Sequence, residues 1–220
     1  MNAINTNVLP SLSTTAELLL KTAERLYAEH GLGVVSTRQI AREAGQKNHS
    51  AISYHFGGET SLIEAILDFR MTALDQKRFQ LYEEMQNQNA LGDVRLLLNL
   101  VVQPLAEELL RDEHESYYIS LLAQLINRGQ WQQYFVDHPN RTRVILQCSQ
   151  HLIAALRKSI PEDVAAFRLS MMGPQVVRIV ADWDAMRRRK ELDITEQALR
   201  WRVNNLVDYL AGALQASHTS

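Results

Sequence analysis

The sequence predicts an all-α protein, with a small three-helix unit at the N-terminus and a larger helical unit behind it. Apolar residues recur at helical spacing along the chain, and no segment alternates with period 2 as a half-buried strand would. Glycine and proline number only 9 and 5 in 220 residues, too few for a turn-rich β-sandwich. The early glycines also fall where short helical patterns stop, the position that favours a residue without a side chain. With 46% hydrophobic and 22% charged residues, the chain can bury an ordinary globular core.

Taken in order, Ser13-Thr14-Thr15 with Glu17 marks a helix start. Leu19, Ala23, Leu26, Tyr27 and His30 then share a face, and Gly31 ends the helix. Ser36 caps a second helix, Thr37 to Ala44, closed by Gly45. A short third helix covers His49 to His55, with Ala51, Ile52 and His55 turned inward, and Gly57-Gly58 breaks the chain. A long amphipathic helix follows over 59–86. Further helices are expected over 93–111, 114–128, 131–137, 140–158, 162–188 and 194–215, with a kink at Gly173-Pro174. The domain boundaries are 1–13 for a flexible arm, 14–57 for the three-helix unit and 58–220 for the larger one.

The single cysteine, Cys148, rules out an internal disulfide and points to a reducing compartment. The N-terminus has no basic segment leading into an apolar core, and no apolar segment is expected to reach the roughly 18 residues of a membrane span. A cytoplasmic protein with no membrane partner is expected. Net charge is −2, so any nucleic-acid partner must be read from local arrangement. No catalytic Ser/His/Asp set, paired carboxylates, phosphate loop or metal-ligand cluster stands out, so no enzyme activity, metal or cofactor is expected.

Helix, glycine turn and short helix make a helix-turn-helix arrangement. Its second helix is polar, and from Gln46 to Gly58 there is no acidic residue. An α-helix fits the DNA major groove, where Lys47 can reach guanine and Gln46 or Asn48 can pair with adenine. His49, Ser50, Ser53, Tyr54 and His55 suit phosphate contacts, as do Thr37 and Arg38 at the start of the second helix. A merely solvated face would mix Glu, Asp and Lys.

The run "AERLYAEHGLGVVSTRQIAREAG" followed by "SAISYHFGGETSLIEAIL" resembles the DNA-binding domain of TetR-type (TetR/AcrR-type) bacterial transcriptional regulators. The likeness spans about 14–68 and lies in Ala23, Leu26, Tyr27, Gly31, Ser36, Thr37, Arg38, Ile40, Ala41, Ala44, Gly45, His55, Phe56 and Leu62. It implies a three-helix DNA-binding domain, a divergent helical domain behind it, and a homodimer that binds a palindromic double-stranded operator. It further implies a repressor released by a small molecule, with Gln46 to Tyr54 as the recognition segment. The chain departs from the family's commoner pattern in three places. There is one extra residue between Gly45 and Phe56, Ser53 stands where a tyrosine is common, and Glu59 stands where a lysine often meets the DNA backbone.

In the larger unit, Tyr117, Leu121, Trp131, Met171, Met172 and Gln175 are candidates for an effector site, expected to take an apolar or mildly polar ligand. Val176, Ile179, Val180 and Trp183 form one apolar stripe, and Leu199, Val203, Leu206 and Leu210 another. Together they could build a four-helix dimer interface around a twofold axis. The basic run Arg187-Arg188-Arg189-Lys190 reads as a solvated helix end. The expected mechanism has the ligand change the angle of the 59–86 helix and so the separation of the two recognition helices. The alternative reading is an all-α small-molecule-binding protein or enzyme in which the helix-turn-helix has lost DNA binding.

Overall fold

Nine α-helices order the described residues of the computed structural model, which covers 12–112, 114, 116–137 and 142–218. The arm expected over 1–13 lies outside these residues except for Leu12 and Ser13. Contacts divide the chain into two units, Met1–Arg70 and Met71–Ser220.

The first unit holds α1 (Thr14–His30), α2 (Thr37–Glu43), α3 (Ala51–Phe56) and the start of α4 (Glu59–Asn87). Ser13 Oγ accepts from the Ala16 N–H at 3.2 Å, and Ser36 Oγ accepts from the Gln39 N–H at 3.2 Å. Each satisfies a donor that the helix itself leaves orphaned. Leu19, Leu20, Ala23, Leu26 and Tyr27 of α1 are buried with Ile40 and Ala41 of α2, Ile52 of α3, and Leu62, Ile63, Ile66 and Leu67 of α4. Apolar burial is worth roughly 25 cal/mol per Å², so this shared core accounts for α3, which is too short to persist as an isolated helix.

One ion pair fixes α4 to α1. Arg70 donates from Nε and a terminal nitrogen to both oxygens of Glu24, at 2.7 and 2.9 Å, with the Glu24 side chain only 1% exposed. This is why the division falls after Arg70: residues 59–70, which the sequence reading gave to the larger unit, pack on α1.

The second unit contains the rest of α4, then α5 (Val94–Ala106) with a 3-10 turn (Glu107–Leu110), α6 (Tyr118–Asn127) and a π-helical turn (Gln132–Val136). It ends with α7 (Arg143–Leu156), α8 (Glu162–Arg188) and α9 (Glu196–Gln215). α5 packs on α7, α8 and α9, and α8 packs on α6, α7 and α9. α8 runs through Pro174 as one helix. By length and composition it could cross a membrane, with a window of mean hydropathy 1.2, contrary to the sequence expectation. Val176, Val177 and Val180 are buried in the bundle, however, and serve its core.

The basic run at the end of α8 is a second correction. Asp184 is buried and accepts from Arg187 at 2.7 Å, Arg188 at 3.0 Å and Ser120 Oγ at 3.1 Å. Arg187 also donates to the carbonyls of Leu109 and Arg111, and Arg188 to that of Ser116. These two arginines therefore clamp the connection between α5 and α6. Among the basic four, Arg189 and Lys190 are exposed.

The Glu24–Arg70 pair yields a direct expectation. Glu24→Ala leaves a largely buried guanidinium without its carboxylate and should cost about 3–5 kcal/mol in urea unfolding. A loss under about 1 kcal/mol, the worth of an exposed pair, would show that the pair is not what holds α4.

Candidate functional site

The helix-turn-helix spans α2, the turn and α3. Gly45, at φ +68°, opens the turn in the left-handed region that glycine adopts without strain. The Gln46 N–H then bonds the Ala41 carbonyl at 2.9 Å, which reverses the chain. Asn48 Oδ1 accepts from the Ser50 N–H at 2.9 Å and its carbonyl accepts from the Ala51 N–H at 3.1 Å, an Asx turn that launches α3. α3 therefore begins at Ala51, two residues later than the sequence reading put it, and ends at Phe56 with Gly57 in the left-handed cap. Residues 45–50 form the turn.

Only Ala51 and Ile52 of α3 are buried, and His55 is half-buried. Lys47, Asn48, His49, Ser50, Ser53 and Tyr54 face solvent together, with Tyr54 82% exposed. The Tyr54 ring stands edge-on to that of His55, centroids 5.0 Å apart. Gln46 is half-buried and donates to the Ala44 carbonyl at 3.2 Å, so part of its amide braces the turn. Arg38 is exposed and Thr37 half-buried at the start of α2, where helix geometry leaves their N–H groups without intrahelical acceptors.

The charges in this unit sort into two groups. Lys21 pairs with Glu17 at 2.6 Å, Arg25 with Glu29 at 3.0 Å and Arg42 with Glu43 at 3.8 Å. Arg38 and Lys47 have no carboxylate partner among the described residues and lie on α2 and the turn. Glu59 accepts from the buried Tyr27 hydroxyl at 3.4 Å. It thus anchors the beginning of α4, which explains the carboxylate at that position.

The effector candidates of the larger unit do not form one group. Tyr117 lies under the Arg188 guanidinium, 4.4 Å from ring centre to charge, and Leu121 is core. Trp131 stacks on Phe135 at 4.2 Å and lies against Gly173 of α8, where an added Cβ would meet its ring at 3.8 Å. Met172 beside it is buried, whereas Met171 is exposed, and Gln175 donates to the Tyr209 hydroxyl at 3.2 Å. A groove of about 710 Å³ does exist between α5 and α9, lined by Arg95, Asn99, Gln103, Leu199, Val203 and Asn204 among others. None of the six candidates borders it.

Of the residues read as a dimer interface, Val176, Val180, Leu199, Val203, Leu206 and Leu210 are buried within the chain itself, and Ile179 and Trp183 are half-buried. Six of these eight residues therefore belong to the protomer's own core, while Ile179 and Trp183 keep part of their surface outside it. The exposed apolar residues of the same helices are Phe167, Met171, Trp201 and Tyr209. Phe167, Met171 and Gln175 repeat every fourth residue on α8, as do Trp201, Asn205 and Tyr209 on α9, and the Gln175–Tyr209 bond joins the two rows.

Residues 19–66 match the family model of bacterial regulatory proteins of the tetR family. A solved structure from Rhodococcus sp., described as that of a TetR-family transcriptional regulator, shares the fold. It has 15% identity and a TM-score of 0.50 over 92% of this chain and 97% of that one. No curated protein matches the sequence.

Gly45→Ala tests the turn. A Cβ there meets no atom within 4 Å, so only backbone strain opposes it. The left-handed conformation should cost roughly 1–2 kcal/mol, measured by chemical denaturation, and no loss would mean that the turn relaxes to another conformation.

Proposed function

We propose, from the premise that this chain is a TetR-family protein in its N-terminal domain and its fold, that it represses transcription as a homodimer on a palindromic operator. In this reading a small-molecule effector bound by the C-terminal unit releases the DNA. The observation that carries it is the solvent-facing surface of the turn and α3. That surface displays donors and acceptors for base edges and phosphates, has no acid from Gln46 to Gly58, and has two cations, Arg38 and Lys47, without carboxylate partners among the described residues.

Lys47, Asn48 and Gln46 are assigned to base edges, Asn48 through its NH₂ because its oxygen accepts from the Ser50 N–H. Thr37, Arg38, His49, Ser50, Ser53, Tyr54 and His55 are assigned to the sugar-phosphate backbone. Tyr54 takes the part of the tyrosine missing at Ser53, one residue along. The exposed rows of α8 and α9 supply the self-complementary patch that a twofold dimer requires. Two recognition helices about 34 Å apart would then meet successive major grooves on one face of the duplex.

The test is a selection of bound fragments from the source genome at physiological salt, followed by anisotropy titration of the best fragment and a scrambled one. A twofold-symmetric sequence bound far above the scrambled control supports the reading, and equal weak binding to both contradicts it. On the selected fragment, Lys47→Ala should cost about 1–3 kcal/mol per half-site and relax base preference. Arg38→Ala should instead weaken binding evenly across sequences and flatten the salt dependence by about one unit per half-site.

The dimer face has its own test. Trp201→Asp should shift sedimentation toward the monomer and lower operator affinity by about 100-fold or more, because the two half-sites are no longer engaged together. An unchanged dimer would place the interface elsewhere.

A further inference from the structure

We propose that Arg78 receives the carboxylate of a small organic acid inside the C-terminal unit, with Tyr82 and His151 beside it. This names the chemical class of the effector and so rests on the ligand-released reading above. Arg78 lies on α4 with its side chain only 3% exposed. Its Nε is buried and has no hydrogen-bond partner among the described residues, and one terminal nitrogen reaches Asp75 Oδ1 at 3.5 Å, the outer limit of a hydrogen bond. A guanidinium carries five donors in a planar fork. Burying one with a single long contact is unfavourable unless a further acceptor arrives.

Other buried guanidiniums with an unpartnered Nε are better provided for. Arg187 has two carbonyls and Asp184, and Arg202 lies over Trp183 and Trp201. Arg78 stands apart from them. Asp75, Arg78 and Tyr82 follow at i, i+3 and i+7, one face of α4. Across from it on α7, the His151 ring nitrogen meets the Tyr82 hydroxyl at 3.0 Å and Cys148 is fully buried. Burial pushes the Cys148 thiol up to about 12, with the Arg78 charge pulling the other way. The thiol therefore stays neutral at physiological pH and cannot balance Arg78.

The fork of a guanidinium matches a carboxylate bidentately. Leu74, one turn before Arg78 on α4, and Leu152, next to His151 on α7, are buried, which suits an acid with an apolar body. Asp75 is the resident competitor. Its side chain is 24% exposed, and burial raises its carboxyl more than Arg78 lowers it. An incoming carboxylate would replace one long contact by two short ones while Asp75 turns to solvent. A phosphate dianion would bring a second charge that Arg78 alone cannot offset.

The experiment is calorimetric titration of the full chain with sodium octanoate and sodium benzoate, and with octanamide, benzamide and phenyl phosphate. The carboxylates should bind at least about tenfold more tightly than the amides, as a charge-assisted bidentate pair requires. Arg78→Met should abolish that preference while the chain stays folded, since it removes an under-satisfied buried charge and leaves Asp75, 24% exposed, able to turn to solvent. Asp75→Asn should tighten carboxylate binding several-fold by removing the competing charge. Equal binding of acids and amides, no carboxylate binding, tighter phenyl phosphate, or wild-type affinity in Arg78→Met each overturns the proposal. If Arg78→Met does not fold, Asp75→Asn decides: tighter binding supports the site and unchanged binding overturns it. Carboxylate binding that leaves DNA affinity unmoved keeps the site and removes the ligand-released reading. Release of DNA by a neutral compound, with no carboxylate bound, does the reverse.

Discussion

The bidentate pair between Glu24 and Arg70 is the constraint on which the N-terminal unit turns. It joins the middle of α1 to the twelfth position of α4, and the Tyr27–Glu59 bond holds the beginning of α4 to the same helix. With α1 and α4 fastened at two levels, Ile40, Ala41, Ala51 and Ile52 need only fill the remaining apolar surface. α2 and α3 are then held by packing, and their outer faces are released from any structural duty. A six-residue helix can carry recognition chemistry because it does not have to stabilise itself.

That division of labour explains the composition of the turn and α3. Gly45 supplies the backbone conformation, Asn48 and Gln46 brace the reversal through one end of each amide, and the remaining polar ends face outward. Arg38 and Lys47, without carboxylate partners among the described residues, lie on α2 and the turn, whereas the cations on the flank of α1 are neutralised by carboxylates one turn away. The net charge of −2 therefore conceals a local surface that favours polyanions.

Local signals were the legible ones. Ser13 and Ser36 as caps, Gly31, Gly45 and Gly57 as stops, and Ala51 and Ile52 as inward residues all depend on neighbours within a few positions. Features set by distant partners were not. Glu59 looked like a lost phosphate contact until Tyr27, 32 residues away, supplied its hydrogen bond. Arg187 and Arg188 read as solvated because the carbonyls they bind belong to residues 109–116. On α8 and α9 the apolar stripes were found, but periodicity cannot say whether a stripe faces its own bundle or a partner, and the buried stripe proved to be core. The Arg78 Nε, without a partner among the described residues, has no sequence signature at all, since its burial depends on side chains distant in the chain.

The exposed turn and α3 are proposed to read base edges from the major groove. Chemical footprinting of a bound genomic fragment, combining hydroxyl-radical cleavage with methylation interference at guanine N7, addresses this most directly. The prediction is two protected patches on one face of the duplex, about one helical turn apart, with methylation of guanines inside them blocking binding. Backbone protection without any guanine interference, or protection with no twofold relation, would contradict it.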